Sequence, residues 1–292
     1  MATTENRPEY MTQHFDPIPS PDLRIVPIHS LVEHEYNDVQ RTLPLAKRLE
    51  AEGSLKNPPI VSQLEGEHRY VVLDGANRTT ALAHLNYEHC LVQVVNYEPP
   101  QVTLSTWYHL VTDIDLESFT QEIANVNDID LHQSDLLRAR AELAQREIIA
   151  CIIRSDNKVL AVSSHHRRIR DKNTVLNAMV DTYKEKGGLH RAVADNMEEA
   201  RKLFPNVTAL VIFPNYEASE VMILARDGEL LPTGLTRHLI QGRVLRVNYP
   251  LSELKSNEPL EKKNAKLQEW LQKKNATKEV RLYAEATYLM DE

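Results

Sequence analysis

Arg69-Tyr70-Val71-Val72-Leu73-Asp74-Gly75-Ala76-Asn77-Arg78-Thr79-Thr80-Ala81-Leu82 runs from an apolar strand through Asp-Gly into the start of a helix. Such a turn gathers the unpaired N–H groups of the first helical turn. Here it also brings a carboxylate and a guanidinium beside them, and a concavity so furnished holds phosphate. Gly75 lets the backbone approach an anion closely, Arg78 can fork onto phosphate oxygens, and Thr79 and Thr80 add hydroxyls. Asp74 can hold a divalent ion or tie the loop by accepting its amides. With Ala76 and Asn77 between them, residues 74–79 form the expected nucleotide-phosphate site. The same spacing also suits a plain turn with a capping Asp and a solvated Arg.

Outward from this stretch, residues 23–28 and 60–64 read as strands. Glu65-Gly66-Glu67 turns the second back into 70–73. Between them a helix is expected with Thr42 as N-cap, Pro44 in its first turn and Gly53 just past its end. Residues 90–95 form the next strand, and Pro99-Pro100 closes a compact α/β unit. Upstream lies Glu33-His34-Glu35. Extended, it puts both glutamates on one face and His34 on the other. A carboxylate held beside a substrate hydroxyl can act as general base.

Beyond Pro100 the expectations are a helix over 136–145 and a hairpin of 148–153 with 158–162 across Asp156-Asn157. A long helix over 165–186 should stop at Gly187-Gly188. A strand at 207–213, a helix at 216–226, a strand at 244–247, a helix at 261–274 and a last strand at 280–289 follow. Trp107 and His109 offer an aromatic wall beside a small polar ligand. Thr236-Arg237 offers a carboxylate or phosphate clamp. His165-His166-Arg167-Arg168-Ile169-Arg170 reads as an exposed helix face that could also meet phosphates or porphyrin carboxylates.

Composition narrows the class. The chain has 292 residues, 42% hydrophobic and 26% charged, with a formal charge of -8. That charge disfavours a protein whose task is gripping nucleic acid. Cys90 and Cys151 cannot form a disulfide framework and read as buried thiols in a reducing cytoplasm. There is no Cys-x-x-Cys or His-Glu-x-x-His spacing for zinc. Residues 1–21 are polar and read as neither signal nor anchor, and no apolar run approaches the ~20 residues a membrane span needs. The expectation is a cytoplasmic protein with a disordered tail (1–20).

Taken together, Val26-Pro27-Ile28, His34-Glu35, Pro58-Pro59-Ile60-Val61 and Val72-Leu73-Asp74-Gly75-Ala76-Asn77-Arg78 resemble the ParB/sulfiredoxin-like fold. Within it the chain is most similar to the free L-serine kinases, including the one serving staphyloferrin B siderophore biosynthesis. Further family-like blocks are Ser105-Thr106-Trp107-Tyr108-His109, Gly234-Leu235-Thr236-Arg237, Gly242-Arg243, Arg281-Leu282-Tyr283-Ala284-Glu285 and Tyr288-Leu289. The resemblance implies an α/β (α+β) protein with a ParB/sulfiredoxin-like nucleotide-binding domain over 21–112. A mixed α/β C-terminal domain over 113–292 would contribute to the substrate cleft. It implies phosphoryl transfer from ATP or ADP, with Mg²⁺, to the hydroxyl of free L-serine. Glu35 falls on the family's catalytic glutamate, and Asp74, Gly75 and Arg78 on its phosphate loop. Trp107, His109, Thr236 and Arg237 lie on segments flanking the amino-acid pocket.

One departure stands out. The kinases carry His before the loop arginine, and here that residue is Asn77, which cannot carry charge or shuttle a proton. The alternative is therefore a non-catalytic ParB-like regulator that binds nucleotide, haem or DNA. Sulfiredoxin chemistry is disfavoured because Ala76 stands where its cysteine nucleophile would be. The CTP- and DNA-binding partition proteins are disfavoured because Thr79 and Thr80 replace their extra arginines.

Overall fold

The computed structural model describes residues 21–37 and 39–283. The tail expected over 1–20 lies outside the described residues. In the first lobe the chain forms β1 (Asp22–Pro27), β2 (Leu31–Val32), α1 (Val39–Glu52), β3 (Ser54–Leu55) and β4 (Ile60–Gln63). β5 (Tyr70–Asp74), α2 (Ala76–His84) and β6 (His89–Val94) complete it. The sheet order is β1-β6-β4-β5-β2. β6 with β4 and β5 with β2 run parallel, and the other two pairs antiparallel. Strand alternation divides its apolar residues. Val61 and Val72 pack with Ala46, Leu49 and Leu82, while Ile60, Val71 and Leu73 join a different cluster on the opposite face.

β7 (Val102–Thr106) leaves that sheet and β8 (Tyr108–Thr112) enters the next. The second lobe continues with α3 (Leu116–Ala124), β9 (Ile129–Ser134), α4 (Leu136–Ala144), β10 (Ile148–Arg154) and β11 (Val159–Ser164). α5 (Ile169–Asp181), β12 (Gly188–Ala192), α6 (Met197–Leu203), β13 (Val207–Ile212) and α7 (Ala218–Arg226) follow. Its strands form an antiparallel sheet ordered β12-β8-β13-β10-β11-β9. Both faces are covered, with Ile152 and Val211 in one cluster and Cys151 and Leu210 in another.

The lobes are stitched together. β14 (Thr236–Ile240) pairs with β7, and β15 (Tyr249–Pro250) with β3. α8 (Leu251–Lys255) and α9 (Leu260–Ala276) return to the first lobe, where Leu251, Leu254 and Leu267 join its core. One cluster spans both lobes, joining Leu73 and Val95 to Val111, Phe213, Leu231 and Leu235. The architecture is mixed α/β, as the sequence implied. Among the described residues no helix is long and apolar enough to cross a membrane.

Four expectations change. The helix over 165–186 is shorter, Ile169–Asp181. Residues 165–168 lie ahead of it, where His165 and His166 face Asp130 and Asp128 at 3.2 and 3.4 Å. Residues 244–247 are not a strand. The Gln93 side chain ties this segment instead, donating to Gly242 O and accepting from Val244 N, each at 2.9 Å. Residues 280–283 are also non-strand, and the rest of the expected final strand lies outside the described residues. α1 begins ahead of Thr42, so Pro44 lies within the helix. α3 and β9 had no sequence assignment at all.

Candidate active site

Residues of both lobes line a cleft of about 1480 Å³. Its Asp74–Arg78 end is built locally. Gly75 caps α2 from the left-handed region, φ 94°, with no side-chain cap. A Cβ at Gly75 would lie 2.9 Å from Arg78 Nη2, so glycine is required for its dihedral and for the approach of the guanidinium. Arg78 Nη2 donates to Asp74 Oδ2 at 2.9 Å and Nη1 to Asn57 O at 2.6 Å. Arg243 Nη1 donates to the same Asp74 Oδ2 at 2.6 Å. Burial pushes the Asp74 carboxyl up, but the Arg78 and Arg243 charges outweigh it and hold it below the usual range. Ala76 and Asn77 line the cleft with them. Asn77 Oδ1 is buried without a hydrogen-bond partner, a cost that a donor on a bound ligand would remove. Thr79 does not face the cleft: it is buried, and its hydroxyl donates to Ala76 O at 2.7 Å.

The other half comes from far along the chain. Backbone bonds pin His34 and Tyr36 to Leu231, Leu231 N to His34 O at 2.8 Å and Tyr36 N to Leu231 O at 3.1 Å. This places the Glu35 side chain against the turn at 233–236. Gly234 N donates to Glu35 Oε2 at 3.0 Å, and Leu235 N to Oε1 at 3.1 Å. Thr236 N also donates to Oε1, and the Thr236 hydroxyl lies 2.5 Å from it. Oε1 thus receives three donors and Oε2 one, which leaves Oε2 room for a further hydrogen bond.

Behind Thr236 sits His34, buried, with Nδ1 2.6 Å from Val72 O and Nε2 2.8 Å from Thr236 Oγ1. Nδ1 faces a carbonyl and must donate. A hydroxyl has one proton, so Thr236 Oγ1 gives it either to Glu35 Oε1 or to His34 Nε2, and it serves Glu35 only where Nε2 donates in turn. The Thr236 side chain, which also lines the cleft, lies between His34 and Glu35.

His109 also borders the cleft. It is fully buried, with Nδ1 2.9 Å from Tyr183 Oη and Nε2 3.2 Å from Thr233 O, so it holds the turn that carries Gly234. Burial pushes it down to about 4, and the Arg191 charge adds to that. Trp107 and Arg237 do reach the cleft, stacked with the guanidinium carbon 4.6 Å from the ring centroid. His238, on the same strand, accepts from Tyr97 Oη at 2.6 Å. Burial, reinforced by His34, pushes His238 down to about 3.

Arg243, His238 and Arg191 were not among the expected site residues. Arg243 stood in the Gly242-Arg243 block without a role. Nothing local marks Arg191, which arrives by strand pairing with His109. Of the four histidines lining the cleft, His34 and His109 use both ring nitrogens and His238 binds Tyr97 and the Leu73 backbone, while His190 stacks on Phe204.

No family model matches the chain. The ATP-dependent L-serine kinase SbnI of Staphylococcus aureus is 24% identical over 278 residues, 92% of this chain and 97% of that protein. An ATP-dependent L-serine kinase of Staphylothermus marinus is 28% identical over 96 residues, 33% of this chain and 36% of its own. Among solved structures, C-terminally truncated SbnI superposes with a TM-score of 0.66 at 21% identity, covering 87% of this chain and 96% of that one. A free serine kinase in complex with AMP gives 0.67 at 19%, covering 85% and 98%. The chain shares the fold of these solved serine kinases.

Proposed function

We propose that the chain is a phosphotransferase moving a phosphoryl group from ATP or ADP to the hydroxyl of free L-serine, giving O-phospho-L-serine. The observation that carries this reading is the Glu35 carboxylate, clamped by the 234–236 amides in the cleft that also holds the Asp74–Arg78 loop. Phosphoryl transfer asks a protein for in-line positioning and charge stabilisation more than for covalent chemistry. The serine oxygen bonds to the terminal phosphorus as the bond to the leaving phosphate oxygen breaks. Its proton passes to Glu35 Oε2, the oxygen with room to take it. Arg78, Arg243 and the loop amides hold the phosphates, and Asn77 Oδ1 accepts from a donor on the ligand. Relatives named as ATP-dependent L-serine kinases support ATP as donor.

Mg²⁺ binds through one or two carboxylates and substrate phosphates, keeping several waters. Asp74 suits that mode, because both arginines bind Oδ2 and leave Oδ1. Among the described residues no group of three or more His, Cys, Asp or Glu could cage a metal. When bound, the ion supplies neutralisation of phosphate charge. The ParB/sulfiredoxin-like identity of the first lobe and the division into 21–112 and 113–292 belong to this proposal, with β8 and α8–α9 exchanged across the division. So does a cytoplasmic setting, in which the buried free thiols Cys90 and Cys151, each pushed up by burial to about 12, stay reduced.

The test is to incubate the chain with L-serine, Mg²⁺ and ATP or ADP and to follow phosphoserine by ³¹P NMR. A phosphomonoester that requires both L-serine and nucleotide supports the proposal. Nucleotide binding without any product favours the regulator that Asn77 suggested.

A further inference from the structure

We propose that Arg191 binds the α-carboxylate of the acceptor and so selects a free amino acid over one in amide linkage. The inference rests on the kinase reading above. Arg191 lies on β12, an edge strand of the second sheet, paired in register with His109. Its guanidinium lies across Gly234: a Cβ there would be 2.6 Å from Arg191 Nε and 3.3 Å from Nη2. The Gly234 amide is the group that donates to Glu35 Oε2 at 3.0 Å. One residue therefore connects the guanidinium to the oxygen assigned the acceptor's proton.

The other cations of the cleft are placed differently. Arg78 and Arg243 are both tied to Asp74 at the phosphate loop, Arg237 lies over Trp107 and Lys184 pairs with Asp181, while Arg48 and Lys56 come from the first lobe, away from the 233–236 turn in sequence and sheet. Among the described residues Arg191 has no ion pair and no side-chain hydrogen bond, although it lines the cleft. A guanidinium carries five donors in a planar fork that matches a carboxylate. In a 2-amino-3-hydroxy acid the hydroxyl and carboxylate are attached to neighbouring carbons. A cation that binds the carboxylate must then sit within a few ångströms of the base that takes the hydroxyl proton. Arg191 meets that requirement, and Gly234 keeps the path open. With φ 71° and Arg191 across it, a side chain at residue 234 would be strained and would displace the guanidinium.

The experiment compares L-serine with L-serinamide, which keeps the hydroxyl and ammonium but lacks the carboxylate. The full-length chain and its Arg191→Gln and Arg191→Lys variants are assayed for kcat/KM with each acceptor and for KM of ATP. Arg191→Gln should lose about tenfold to a hundredfold with L-serine, the scale of one charge-assisted hydrogen bond. With L-serinamide it should change by less than about twofold, and KM for ATP should stay constant; Arg191→Lys, which keeps the charge and loses the fork, should fall between. Equal losses on both acceptors, or a change confined to KM for ATP, overturn the proposal, the latter by assigning Arg191 to phosphate. If the wild-type chain phosphorylates neither acceptor, the kinase reading has failed. Calorimetry with AMP present then decides the Arg191 assignment separately. Tighter binding of L-serine than L-serinamide, lost in Arg191→Gln, upholds it, and equal binding refutes it.

Discussion

The phosphate loop and the Glu35 clamp line the same cleft, but they are assembled over very different stretches of chain. In the loop, Gly75 O accepts from Arg78 N and Thr79 N, and Arg78 pairs with Asp74 four residues away. In the clamp, Glu35 is held by residues 199 to 201 positions distant. A local turn needs only its own residues to form. The clamp forms only when β14 pairs with β7 and Leu231 docks on His34, so it depends on the joint between the lobes. It follows that perturbing the joint should disable the base while sparing the loop, and that the two walls should respond differently to acid.

The largest expected effect is on stability. His109 and His238, both on the clamp side, are held neutral by burial at about 4 and about 3. Their folded values lie below the ordinary histidine value, so the stabilisation they confer is complete above about pH 6.5 and is lost as pH falls below it. At pH 5 this amounts to about 4 kcal/mol for the pair, at about 1.4 kcal/mol per pH unit each. Asp74, also depressed, contributes above the unfolded carboxylate value and loses its contribution only as pH falls below about 4. Urea unfolding across pH 7 to 5 should therefore show a steep decline. His238→Gln should flatten the slope by about one proton, whereas Asp74→Asn should leave it unchanged in that window.

Next in size is Gly234→Ala. The left-handed dihedral and the clash with Arg191 move the amide away from Glu35. Losing a preorganised donor at the reacting centre lowers kcat by about a hundredfold. AMP affinity, set by the loop, should be unchanged. A fall in AMP affinity that matches the fall in kcat would break the distinction between the two walls.

Thr236→Val is milder. It keeps the amide to Glu35 but removes the hydroxyl, leaving His34 Nε2 without its partner. A drop in kcat of about tenfold is expected, with KM for ATP unaltered. Rescue by Thr236→Ser would separate the loss of the hydroxyl from misfolding. Asp74→Asn sits at the other end of the cleft and should act on the nucleotide alone. Because the Asp74 pairs are about a third exposed, solvent screening limits the change to roughly threefold to tenfold in KM for ATP.

How much of this could be read from residues follows the same division. The strand, the Asp-Gly turn and the helix at 70–84 announce themselves locally, as do Gly53, Asn86 and Asn157, each in the left-handed region at an element's end. Glu35 and the block Gly234-Leu235-Thr236 were each singled out, but not their meeting, because strand pairing brings them together. His109 and Thr236 were expected to touch substrate. Both border the cleft, but their hydrogen bonds run to Tyr183, Thr233, His34 and Glu35, contacts that an isolated sequence does not reveal. The expected strand at 244–247 fails for a related reason: a buried glutamine, Gln93, satisfies that backbone in place of a neighbouring strand.

The central claim is that Glu35 takes the acceptor's proton while the loop, with Arg243, binds the nucleotide. The direct measurement is phosphoserine formation and AMP binding by the wild-type chain and by Glu35→Gln. The amide keeps an acceptor oxygen for the 234–236 donors but cannot take a proton. Turnover should fall by about a hundredfold or more, the scale of general-base catalysis, with AMP affinity within about twofold on the affinity scale. Undiminished turnover in Glu35→Gln would contradict the account.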